Sequence, residues 1–495
     1  MTKQFFPFRA LMRVLAGLIL GMGFYLFFVV LFNKGLADYD LWGYLSFGRV
    51  FWEEGFFPYQ DVFAYTPTKP LWVYHEWLTG VIFFGLQKYF GPASLQFLKY
   101  VLAVVTICLV YATAIKRGGR QGFALATLVF VMILISFGYV PVRAQIFTFF
   151  FFALTIYILE SVRNSGKASL LRWLPVMMVV WCNVHGGFVS GLGVIFLYGL
   201  GGLLAREKTA VSYFLWGVLS LSVTLINPYG FDYWIYTVHA VFLERADITE
   251  WYSAIKALKS GVYVFPVSLF LVAGFFGLAI LIFLKKKNIT EILVVCVVTY
   301  LGFVHVRHNV FFGLVLGAYL PLWLTEIFGA MEQRGLRLAA HVFPVFFAGL
   351  LVAVYLYCYP VRQIHVIPTF RFFVSSDAYP IKALAWLKSN QIRGNLLCHF
   401  DWGEYILWCC HRDFRVAIDG RYETAYREDV CQEYFAFSSG RRGWDVFLKK
   451  YPHDAVLLKA NTAAHRLMNR AKDWEAVYSD QISVIFVRKK VENKL

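Results

Sequence analysis

Only 16% of the 495 residues carry a charge, against roughly 25% in an ordinary soluble domain. Most of the chain is therefore not expected to face water. Acidic residues are the scarcer charged class, 30 Asp and Glu against 47 Lys and Arg. The resulting net charge of +17 does not imply nucleic acid. Outside the C-terminal region most of the basic residues flank apolar runs, which is the pattern of the positive-inside rule. No two of the eight cysteines have CxxC spacing, so the usual zinc and dithiol signatures are missing. No tandem repeat or low-complexity segment is present, and no inverted repeat is visible. Few charges fall inside the apolar runs, which weighs against a transporter or flippase. No small-residue cleavage site follows the N-terminal apolar run to Phe32, so that run reads as a first span rather than a signal peptide.

What the chain does have is apolar and aromatic: 59% hydrophobic residues, with 50 Phe, 30 Tyr and 15 Trp. Runs able to cross a bilayer lie at 11–32, 94–115, 121–138, 144–162, 172–185, 187–204, 210–226, 263–284, 290–305, 309–328 and 338–358. The pair 172–204 depends on both halves crossing. A further run, 72–90, contains His75, Glu76 and Lys88. If it does not cross, Lys3, Arg9 and Arg13, the turn Lys116–Arg120, Arg163, Lys167 and Arg172 all become cytoplasmic. Arg206–Lys208, Lys285–Lys287 and segment 332–337 join them. The expected architecture is thus a polytopic α-helical membrane protein of about eleven spans. Residues 1–360 form the transmembrane domain, with a long outer loop at 33–93. Residues 365–495 form an exported soluble α/β domain, because apolar runs there shorten to 395–400, 414–418, 454–458 and 482–487 between helical stretches. If that domain is exported, a disulfide among Cys398, Cys409, Cys410 and Cys431 is open to it.

The unusual polar residues fall in the outer loops. Asp38-Tyr39-Asp40 follows the first span. Two carboxylates one residue apart can hold a divalent cation, or one can act as a general base that the other orients; they can also simply cap the helix that follows. Arg143 and Arg307 are the outward arginines suited to a phosphate, which a guanidinium grips bidentately. His75, Glu76, His185, His305 and His308 lie at the expected outer boundary. Glu76, His185 and His308 form the candidate metal set, and a divalent ion is the one cofactor considered. Loop 227–262 carries Tyr233, Trp234, His239, Glu244, Arg245, Asp247, Glu250, Trp251 and Tyr252, a mix that suits sugar faces or a helix lying on the bilayer.

Asp38 and Asp40, followed by Trp42, Gly43 and Tyr44, then Pro58–Phe63 and Thr66–Leu71, resemble the first outer loop of the GT-C glycosyltransferases. That superfamily includes protein O-mannosyltransferases, lipid A aminoarabinose transferases and oligosaccharyltransferase catalytic subunits. The basic turn Lys116–Arg120 fits the same pattern. Many members keep an acidic residue close to the arginine at the position of Arg143; here the local sequence offers Gln145 instead. The strings around Phe400–Tyr405 and Ile418–Arg421 resemble C-terminal domains of related membrane proteins. The resemblance implies a GT-C-like fold and transfer of a sugar from a polyprenyl-phosphate donor at the outer face of the inner membrane. Asp38 and Asp40 would be catalytic, and Arg143 and Arg307 would bind the donor phosphate. Tyr44, Lys69, Asn183, Asp401 and Trp402 would contact substrate. The partners would be the bilayer, the lipid-linked donor and a glycan, lipid or protein acceptor. A non-catalytic envelope assembly factor is the remaining alternative.

Overall fold

The computed structural model describes residues 5–33, 37–243, 245, 248–284, 287–333, 337–358, 370 and 374–489. Lys3, Glu244, Asp247, Lys285, Lys286 and Arg334 lie outside them. The chain is mostly helical, at 69%. Among the described residues four helices are long and apolar enough to cross a membrane: Ala93–Lys116, Gln145–Ser165, Val264–Phe283 and Val306–Gln333. Seven shorter apolar helices bring the number to eleven, and each coincides with a run expected to cross. Within the run 72–90 only Trp77–Phe90 is helical, a length of about 21 Å at 1.5 Å per residue.

Contacts divide the chain into two compact units. The first comprises Met1–Gly35, Gln96–Gly230 and Val241–Phe370 and holds the apolar helices. Its interior contains an ion-pair network that composition did not reveal. Arg117, from the basic turn, donates to Glu160 at 2.6 Å and to Glu291 at 2.7 Å, and all three side chains are almost fully buried. Trp323 Nε1 donates to Glu291 at 2.7 Å, and the Tyr198 hydroxyl donates to Glu160. Buried charges persist only when paired and hydrogen-bonded. This pairing therefore ties the turn to helices Gln145–Ser165, Phe188–Leu204, Ile289–Val304 and Asn309–Gln333.

The second unit comprises Leu36–Leu95, Phe231–Ala240 and Arg371–Leu495. Residues 36–95 thus pack with the C-terminal residues in one compact unit. Its sheet has five strands in the order β2-β1-β3-β5-β4: β1 Gly394–Cys398, β2 Phe414–Val416, β3 Ala455–Lys459, β4 Trp474–Ser479 and β5 Ser483–Arg488. The first three are parallel, joined by helices, and β3-β5-β4 are antiparallel. Four of these strands fall on the short apolar runs. The fifth, β4, was not expected, because an edge strand that is mostly exposed needs no apolar run. Cys398, Cys409, Cys410 and Cys431 are all free thiols, so no disulfide forms among them.

In the loop, helix Leu41–Arg49 crosses Trp77–Phe90 at two glycines. A Cβ on Gly48 would overlap the carbonyl oxygen of Gly80, and one on Gly80 would stand 2.9 Å from the carbonyl oxygen of Tyr44. Small residues let two helix backbones approach this closely. Gly48→Ala is therefore expected to cost about 1–3 kcal/mol through overpacking, read as a lower unfolding midpoint of the purified protein. An unchanged midpoint would show that the backbones need no such approach.

Candidate active site

Asp40 stands at the N-terminus of helix Leu41–Arg49, yet its side chain makes no capping hydrogen bond. Asp38 Oδ1 accepts the Asp40 backbone N–H at 3.2 Å, which fixes the turn that leads into the helix. Tyr39 between them packs on Tyr379 with ring centroids 5.1 Å apart. Trp42 donates to the Tyr379 hydroxyl at 3.1 Å, which in turn donates to the carbonyl of Ala37 at 2.7 Å. The aspartate segment is therefore bracketed by a single tyrosine of the C-terminal region.

Further contacts hold the rest of the loop. Arg49 donates to the carbonyls of Leu407 and Trp408, both at 2.9 Å, at the end of helix Gly403–Cys410. A cation satisfies the free carbonyls of a helix C-terminus. Arg421 pairs with Asp419 at 2.6 Å and with Asp61, and all three side chains are buried. Its guanidinium lies 4.8 Å from the ring centroid of Phe63 and 4.9 Å from that of Trp72. Glu404 accepts the Gly43 backbone N–H at 3.0 Å. Burial first, and then the neighbouring Asp40 and Asp419, push the Glu404 carboxyl well above its ordinary range. Sequence reasoning singled out the strings containing Glu404 and Arg421, but assigned neither residue a partner in the first loop.

In the first unit, Arg143 donates to Glu250 at 2.9 Å. The acidic partner missing from the local sequence is thus supplied from 107 residues away. Burial pushes the Glu250 carboxyl up, but Arg143 and Arg307 outweigh it and hold the group below the ordinary carboxylate range. Arg307 lies 4.5 Å from the ring centroid of Trp251, and Arg245 lies 4.1 Å from it. His305 Nδ1 is 2.8 Å from the Trp251 carbonyl oxygen. Three arginines thus gather about Glu250 and Trp251. Guanidinium groups of this kind can stack on an aromatic face or grip an anion.

Other expected site residues carry structural bonds. The Tyr44 hydroxyl donates to Glu76 at 3.0 Å. Lys69 donates to the carbonyl of Glu423. Asn183 donates to the carbonyls of Val179 and Ile226, closing its own turn. Trp402 is fully buried and donates to the carbonyl of Ala378 at 2.9 Å. Asp401 is partly exposed and pairs with Lys459 at 3.2 Å. Of the three candidate metal ligands, Glu76 belongs to the second unit and His185 and His308 to the first. His185 Nδ1 is 2.8 Å from Thr148 Oγ1 and accepts the Gly187 N–H. His308 packs against Trp251 and Phe311. Among the described residues no group of three or more His, Cys, Asp or Glu side chains is arranged to hold a metal ion.

No family model and no curated protein matches the chain. Among solved structures it is similar to the crystal structure of ArnT from Cupriavidus metallidurans bound to undecaprenyl phosphate. The TM-score is 0.50 at 13% identity, over 96% of this chain and 98% of that one. The likeness runs through the apolar helices and the C-terminal sheet alike, and the fold of this chain is GT-C-like: a polytopic helical membrane protein with a small α/β domain.

Proposed function

We propose that the protein is a glycosyltransferase that moves a sugar from a polyprenyl-phosphate donor to an acceptor at the outer face of the inner membrane. The observation that carries this reading is the Asp38–Asp40 segment. It opens helix Leu41–Arg49 within the same compact unit as the C-terminal residues, and Asp38 Oδ1 accepts the Asp40 N–H. In this reading Asp40 takes the proton from an acceptor hydroxyl or amine as that group attacks the anomeric carbon. The bond between anomeric carbon and phosphate oxygen breaks, and its electron pair leaves with the lipid phosphate. The phosphate gains one negative charge in that step. Arg143 and Arg307, gathered about Glu250 and Trp251 in the first unit, are the residues assigned to the donor phosphate. Direct attack inverts the anomeric centre. The likeness to a GT-C protein crystallised with undecaprenyl phosphate supports the lipid class of the donor. No step is routed through a metal ion.

The test is binding of undecaprenyl phosphate to the purified protein in detergent or nanodiscs. Arg143→Ala and Arg307→Ala are each expected to weaken binding about 10- to 100-fold, as loss of a charge-assisted hydrogen bond implies. Wild-type affinity in both variants would remove the phosphate assignment.

A further inference from the structure

We propose that Glu404, from the C-terminal region, is the positioning residue for Asp40. This rests on the reading of Asp40 as the base. The argument is geometric. The Glu404 carboxyl accepts the N–H of Gly43, in the first turn of the helix that Asp40 opens. It is nearly fully buried. Two glycines make room for it from opposite ends of the sequence. A Cβ at Gly43 would lie 2.5 Å from Glu404 Oε2, and one at Gly420 would lie 2.8 Å from Glu404 Oε1. The same point at Gly420 is 3.7 Å from Asp40 Oδ1, so the two carboxyl groups converge on one small space.

Both features matter for the base. The bond to Gly43 sets where the first helical turn begins, and therefore where the Asp40 side chain leaves the backbone. The bulk of the carboxyl fills the space into which the Asp40 side chain would otherwise fold. Burial and the nearby carboxylates raise the Glu404 carboxyl above its ordinary range, which favours its neutral form beside Asp40. Asp419, the third carboxylate nearby, pairs with Arg421, which it shares with Asp61. Glu404 itself need not touch a substrate.

Two readouts on the full-length protein test this. The first is hydrogen exchange over residues 37–48. Glu404→Ala is expected to raise exchange there by at least tenfold while leaving the apolar helices unchanged. Glu404→Gln, which keeps an acceptor for Gly43 and the same volume, is expected to stay near wild type. The second is glycan product in cells that depend on the chain. Glu404→Ala is expected to lower turnover about 100-fold with undecaprenyl-phosphate binding intact, and Glu404→Gln to restore at least half. Gly43→Ala is expected to be as damaging as Glu404→Ala, yet to add nothing in the Glu404→Ala background, because the atom it strikes is gone. Unchanged exchange at 37–48 in Glu404→Ala, or full additivity of the two changes, overturns the proposal. If the wild-type chain makes no glycan product, the functional reading fails while the exchange and additivity results still decide the positioning role.

Discussion

Asp40→Asn is expected to reduce sugar transfer by about 10²- to 10⁴-fold, the range typical of losing a positioned general base. The amide keeps the volume of the side chain but cannot take the proton of the acceptor. Asp38→Asn is expected to do less. Its carbonyl oxygen can still accept the Asp40 N–H that Asp38 Oδ1 now accepts, so the turn survives and only its electrostatic character changes. The measurement is glycan product from cells lacking the native gene and carrying each variant, with the amount of folded protein in the membrane checked alongside. Undecaprenyl phosphate should bind Asp40→Asn as it binds the wild type, since the arginines assigned to the phosphate are not touched. Product formation at the wild-type rate in both aspartate variants would end the base assignment. A loss in Asp38→Asn larger than in Asp40→Asn would exchange the two roles.

Arg421→Ala is expected to destabilise the second unit by about 3–5 kcal/mol, the usual cost of removing one member of a buried ion pair. The cause is less the lost attraction than what remains. Asp61 and Asp419 are both fully buried, and without the guanidinium each would be a charge with no counter-ion. The packing of that guanidinium against Phe63 and Trp72 would go as well. Lysine is a poor substitute, because a single ammonium cannot serve two carboxylates with a planar fork. Hydrogen exchange or limited proteolysis should show the loss at two stretches far apart in sequence, 58–72 and 414–426. Protection unchanged in both would mean that the triad does not hold the loop.

The elements were far more legible in the sequence than the site. Each apolar run expected to cross became an apolar helix, because a bilayer imposes a length and composition that one stretch of chain must satisfy alone. The strands at 394–398, 414–416, 455–459 and 483–488 announced themselves in the same local way. Pairings over long separations leave no such trace. Arg421 and Asp61 are 360 residues apart, and Gly43 and Glu404 are 361 apart. Their residue types are common, and nothing near either partner points to the other. Arg143 shows the limit in miniature: its local sequence offers only Gln145, and Glu250 fills the gap from another loop. The burial of Arg117 was concealed for a different reason. A basic turn after a span reads equally well as a solvated anchor, and only Glu160 and Glu291 from other helices decide otherwise.

The attachment of Phe63–Tyr65 to Val416 has a consequence for how the chain is made. Val416 N–H donates to the carbonyl of Phe63, and Tyr65 N–H donates to the carbonyl of Val416, so the loop covers the outer edge of β2. The aspartate segment precedes ten of the eleven apolar helices in the chain, while β2, to which Phe63–Tyr65 attach, follows all eleven. Assembly of the second unit therefore waits on residues translated long after the loop that it holds.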